Sequence, residues 1–146
     1  FARHIVGHTR SGDYGLPLQD KVLQEHGLVG VFFVEPLFAT RFGLQPLQDI
    51  VAPLEESGQD VQLHLHTEWV DESLEPLLPG PRVKRQHLRN FSAEDQVILI
   101  REGMKLLSEA GANGVTAFRA GNFGFNLDTL DALVSNGLRY DSSYNA

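Results

Sequence analysis

His64 and His66 stand two residues apart, with Glu68 two residues further on, in the run Asp60-Val61-Gln62-Leu63-His64-Leu65-His66-Thr67-Glu68. On an extended strand alternate side chains share a face, so both imidazoles point the same way. Neutral imidazole nitrogens and a carboxylate oxygen are the usual non-thiolate ligands of zinc. A metal held there would acidify water near neutral pH and polarise a carbonyl. The same residues could equally serve as ordinary hydrogen-bonding groups at a strand end, and the spacing alone leaves both readings open.

Two further places carry polar groups after apolar runs. Arg119 ends the run Val115-Thr116-Ala117-Phe118 and is followed by Gly121-Asn122-Phe123-Gly124. A guanidinium can fix a carboxylate through two parallel hydrogen bonds, and glycines let backbone approach a ligand closely. Taken alone, the stretch is also compatible with an ordinary loop. Asp141-Ser142-Ser143, on its own, reads as a turn. His4, His8, His26 and His87 have no partners at telling spacings and read as surface residues.

Several chemistries are excluded. The chain has no cysteine, which removes disulfides, thiolate metal sites and a cysteine nucleophile. It has no Gly-x-Ser-x-Gly elbow, phosphate loop or dinucleotide fingerprint. With 12 basic and 19 acidic residues, the net charge of -7 disfavours nucleic acid and anionic membranes as partners. Arg82, Lys84, Arg85 and Arg89 form one short basic cluster that reads as a solvated loop. No stretch approaches the roughly 20 apolar residues of a membrane span. No leader is visible at Phe1-Ala2-Arg3-His4, and a start without methionine suggests a piece of a longer chain.

These groups need elements to position them. Pro17 fits the first turn of a helix reaching about His26, with Leu18, Val22 and Leu23 as its buried stripe and Gly27 as its stop. Residues 29–34, without polar alternation, read as a strand buried on both faces. A helix is expected over 44–56, with Leu47, Ile50, Val51 and Leu54 at helical spacing. Residues 60–66 alternate as a strand: Val61, Leu63 and Leu65 on one side, Gln62, His64 and His66 on the other. Residues 71–90, with Pro76, Pro79 and Pro81, read as a long surface loop. Ser92 caps a helix whose apolar side is Val97, Ile98, Ile100, Met104, Leu106 and Leu107, closed by Gly111. A strand over 115–118, a helix over 126–136 and a strand over 138–141 follow.

Strands alternating with helices of this length make right-handed crossovers and a parallel sheet. Both an open doubly wound sheet and a β/α barrel satisfy that pattern. In either, functional groups gather at the C-terminal ends of the strands, where His64 to Glu68, Arg119 to Gly124 and Asp141 to Ser143 all fall.

Taken in order, these pieces resemble the polysaccharide deacetylase, or NodB-homology, family. Val31-Phe32-Phe33-Val34 is similar to its second strand, and the run from Gly58 to His64 to the approach to its metal motif. Phe118-Arg119 with the glycine-containing turn and Asn126 is similar to its arginine motif. Gly137 to Ser143 is similar to the strand that continues its groove. The resemblance spans about residues 16–144, and implies one incomplete deacetylase domain over 1–146.

The resemblance implies an α/β fold, part of a distorted β/α barrel with parallel strands. It implies a metal-dependent hydrolase that removes N-acetyl groups from a glycan, with a divalent metal, foremost zinc, and a carbohydrate as partner. His64 matches the first histidine ligand. The family's second histidine stands where this chain has Glu68, so the second ligand is His66 or Glu68. Arg119 matches the catalytic-site arginine that positions the base, and Asn122, Phe123 and Asp141 fall on the substrate groove. Trp69, Phe123 and Phe125 could stack on sugars, or pack in the core. The family's acidic pair is expected upstream of Phe1 and its leaving-group histidine downstream of Ala146, so this piece alone is not expected to turn over. Hydrolysis of another non-peptide C–N bond in a small amide, and a non-catalytic carbohydrate-binding relative, are the alternatives.

Overall fold

The structure is a computed structural model and describes residues 1–144. Its centre is a four-stranded sheet in which every neighbouring pair is parallel: β3 (Val31–Val34), β4 (Asp60–Leu65), β5 (Ala117–Ala120) and β6 (Tyr140–Asp141), in chain order. Ahead of it lie a turn at Ala2–Val6, an exposed antiparallel pair, β1 (His8–Thr9) and β2 (Gly12–Asp13), and α1 (Leu16–Glu25). The crossovers carry α2 (Ala39–Phe42) and α3 (Gln45–Glu56), then α4 (Ala93–Glu109), then α5 (Leu127–Ser135). The chain is therefore a mixed α/β fold on a parallel sheet.

The alternation along β4 decides which face is which. Val61, Leu63 and Leu65 are all buried, and α3 and α4 pack on this strand. Leu47, Ile50, Val51 and Leu54 of α3 and Leu99, Ile100, Leu106 and Leu107 of α4 complete the core. Burying each such leucine contributes about 2 kcal/mol relative to exposure. The opposite face of β4 presents Gln62 and His64. Gln62 is buried and stitches the next crossover to the sheet, its Oε1 accepting from Thr116 N at 2.8 Å and Ala117 N at 2.6 Å.

Helix ends follow local chemistry. Ser92 Oγ accepts from Asp95 N at 3.1 Å, and Asn126 with Thr129 forms a reciprocal capping box at the start of α5. Residues 71–90 contain no strand and no helix except a single turn at Leu88–Asn90. They are nonetheless pinned: Arg82 donates to the carbonyls of Ser73 and Leu74, and the Arg85 guanidinium lies 4.5 Å over the Phe91 ring.

Four local expectations are corrected. The stripe on α1 is not buried: Val22 is exposed and no residue of that helix is fully buried, the helix lying beside the Ala2–Val6 turn with Asp20 bonded to Ser57 and Leu23 against Gly30. The first strand of the sheet is an edge, so Val31 is exposed rather than buried on both faces. On α4 it is Leu99, not Ile98, that enters the core. The strands after α4 and α5 also begin two residues later than the apolar runs suggest, at Ala117 and Tyr140. Gln62 takes the Thr116 amide, and the Arg139 amide donates to Thr116 O outside the regular ladder.

Candidate functional site

The parallel ladder sets four strand ends side by side. Val34 is level with Leu63, Leu65 with Ala120, and Phe118 with Asp141. One step further along the same register Glu35, His64, Arg119 and Ser142 fall in one row, and His66 follows beside Gly121. This is why positions far apart in sequence meet.

His64 and Arg119 are level partners on adjacent strands. His64 Nδ1 lies 2.7 Å from the carbonyl oxygen of Arg119. A carbonyl only accepts, so Nδ1 carries the hydrogen and the neutral ring keeps its lone pair on Nε2. Burial pushes the His64 pKa below its ordinary value, and the charges of His66 and Arg119 push the same way, against the hydrogen bond to the Arg119 carbonyl. The ring is thus held neutral with one nitrogen committed and the other free. The His66 ring stands edge-on to it, with centroids 4.7 Å apart.

Glu68 sits in the short turn Thr67–Trp69 that follows. Its Oε1 accepts from Asn122 Nδ2 at 3.3 Å. Its Oε2 is buried and has no hydrogen-bond partner among the described residues, although His66 Nδ1 approaches to 3.4 Å. That approach lacks the alignment of a hydrogen bond.

Arg119 is fixed from two sides. Its Nε and Nη2 donate to Ser142 Oγ at 3.2 and 2.7 Å, and its guanidinium lies 4.2 Å over the Phe33 ring. Asp141 holds this arrangement indirectly: its Oδ1 accepts from Ser143 Oγ at 2.6 Å, while Ser143 Oγ accepts from Ala120 N at 2.8 Å. Asp141 and the serines therefore brace the end of β5. The structure brings His64, His66, Glu68 and Asn122 together with Arg119 alongside. Asp141 stands apart behind Ser143, and Phe123 projects with 49% of its surface exposed. Trp69 is half-buried, in edge contact with Phe38 and Phe42, and Phe125 packs against the core.

Glu35 belongs to this neighbourhood and carried no motif in the sequence. It lines a cleft of about 440 Å³ together with Phe33, Phe38, His66 and Trp69. Its carboxylate accepts from Leu37 N at 2.8 Å and Phe38 N at 3.2 Å. Burial nevertheless pushes its pKa up to about 8, outweighing those amides and that of His66, and the charge of nearby Glu68 adds to the rise. The signal that could have found it was its place directly after the last residue of β3, the rule already applied to the other three strands.

The donor chemistry suits a zinc ion in part. His64 offers a free Nε2 with its other nitrogen tied to a carbonyl, as metal-binding histidines do, and Glu68 keeps a buried oxygen without a partner. Among the described residues, however, no group of three or more His, Asp and Glu side chains is placed to hold one ion. Also among the described residues, no helix is long and apolar enough to cross a membrane. Compared with known proteins, the chain matches no family model, and no curated protein is similar to it at a significant level.

Proposed function

We propose that the chain forms the central strands of a distorted β/α barrel in a metal-dependent hydrolase that removes N-acetyl groups from a glycan. The observation that carries this reading is the His64 Nδ1 bond to the Arg119 carbonyl, 2.7 Å long, which leaves a neutral imidazole with its Nε2 free at the C-terminal end of a parallel strand. In this reading His64, with His66 or Glu68 as the second ligand, holds a divalent cation, foremost zinc. A bound divalent ion would supply a nucleophile from water at neutral pH and polarise the acetamide carbonyl. Arg119, braced by Ser142 and the Phe33 ring, orients the carboxylate base. Phe123, exposed beside the cluster, offers a face on which a sugar can stack. The resemblance matches no residue of this chain to the base or to the acid for the leaving amine.

Metal content of the purified chain, measured by elemental mass spectrometry beside His64→Ala, tests the reading. About one equivalent of zinc, lost in the variant, is the expected result. Uptake that His64→Ala does not change would remove His64 from the site and the proposal with it. On protein carrying the flanking sequence, cleavage of acetylated oligosaccharides distinguishes this activity from hydrolysis of small amides only. A second reading, a carbohydrate-binding relative without catalysis, draws on the exposed Phe123 ring beside the cluster. It predicts glycan binding without zinc uptake by any form of the protein.

A further inference from the structure

Asn122 and Phe123 both adopt left-handed backbone, with φ of 52° and 51°. Left-handed conformations are costly for residues with a Cβ, and persist where the surroundings impose them and the strain serves a site. Here the turn is clamped at both ends. A Cβ on Gly121 would lie 2.5 Å from the Leu65 carbonyl oxygen and 3.0 Å from the His66 ring. One on Gly124 would lie 2.5 Å from the His87 side chain, and Gly124 O accepts from Arg89 N at 2.9 Å. The turn is therefore pressed against the end of β4 on one side and the 71–90 loop on the other. What it delivers is the Asn122 amide, whose Nδ2 donates to Glu68 Oε1 at 3.3 Å. Glu68 Oε2 is left buried and unpartnered beside His66.

We propose that Asn122 is a positioning residue for Glu68: the left-handed turn is held so that the amide engages Oε1 and keeps Oε2 turned toward His66. Asn122 then acts through Glu68, not as a contact to the substrate. Asparagine suits the task, since it tolerates left-handed backbone better than other side chains and carries a short donor. The consequence for zinc rests on the functional reading above; the coupling between Asn122 and Glu68 does not.

The test crosses Asn122→Gly with Glu68→Ala and reads both melting temperature and zinc affinity. Glycine relieves the backbone strain and removes the amide. With Glu68→Ala already present, Asn122→Gly is expected to raise the melting temperature by about 3 °C. In the otherwise native chain the gain is smaller, because the bond to Glu68 is lost at the same time. Zinc affinity is expected to fall about tenfold or more in Asn122→Gly, the usual scale for a residue that orients a ligand. An equal gain in both backgrounds overturns the proposal, and zinc affinity that Asn122→Gly leaves unmoved overturns its consequence for the metal. If the native chain takes up no zinc but the two backgrounds differ as stated, the positioning role stands and the metal reading falls.

Discussion

At the scale of single residues, the site combines groups whose protonation is set by their surroundings. Glu35 illustrates how opposing effects are weighed. Two backbone amides donate to its carboxylate and favour the charged form, yet burial wins and the pKa rises from 4.5 to about 8. Between those values the folded chain holds a proton that the unfolded chain has released. Stability contributed by Glu35 is therefore full below about pH 4.5 and declines as pH rises through 8, by about 1.4 kcal/mol per unit at most. Glu35→Gln removes the titration, at a pH-independent cost because its NH2 must face one of the two backbone N–H donors. Its melting temperature relative to the native chain should therefore rise steadily from pH 4.5 toward pH 8. His64 titrates in both proteins, so its contribution cancels in the difference. Thermal melts across that range are sufficient, and a difference independent of pH would mean that Glu35 is ionised throughout.

At the scale of elements, the site depends on how closely β4 and β5 approach at their C-terminal ends. Gly121 is required by that approach rather than by its backbone angles, because a Cβ there would meet a rigid carbonyl oxygen at 2.5 Å, not the end of a flexible side chain. Gly121→Ala should force the two strand ends apart and cost about 1–3 kcal/mol, the scale of overpacking. Denaturant unfolding measures that cost, and the ring resonances of His66 should move with it; a neutral outcome in both would show that the strand ends are not in contact. Much of this level was legible in the sequence. The alternation of β4, the helical spacing of Leu47, Ile50, Val51 and Leu54, and the Ser92 cap each rest on a local period or a local hydrogen bond. What was not legible depended on neighbours distant in sequence. Val31 is exposed because its strand is an edge, and Gln62 is buried because it bridges to Thr116 and Ala117. Asp141-Ser142-Ser143 looked like a bare turn until the register placed Ser142 against Arg119.

At the scale of the whole molecule, the chain order of the parallel strands is what turns scattered residues into one site. The rule that function gathers at the C-terminal ends of such strands singled out His64, His66 and Arg119 as candidates from sequence, but Glu35 had no surrounding motif to draw the rule to it. The same architecture distributes stability unevenly. The core runs from Val34 to Leu138, whereas the Ala2–Val6 turn, the β1–β2 pair and α1 bury no residue fully. Backbone hydrogen bonds in that leading segment are covered by few apolar side chains, so they should open without global unfolding. β4 is the opposite case: it is paired on both edges, and Val61, Leu63 and Leu65 sit under α3 and α4. Native-state hydrogen exchange should therefore show the slowest amides in β4 and around Ile100 and Leu107 of α4, exchanging only with global unfolding. Amides of residues 1–25 should exchange orders of magnitude faster, as expected for locally fraying segments. Because the candidate ligands His64 and His66 lie in and directly after β4, zinc added at saturation should slow exchange there while leaving residues 1–25 unchanged. Protection of the leading segment equal to that of β4 would mean that it belongs to the same cooperative unit, and this account of the stability gradient would fail.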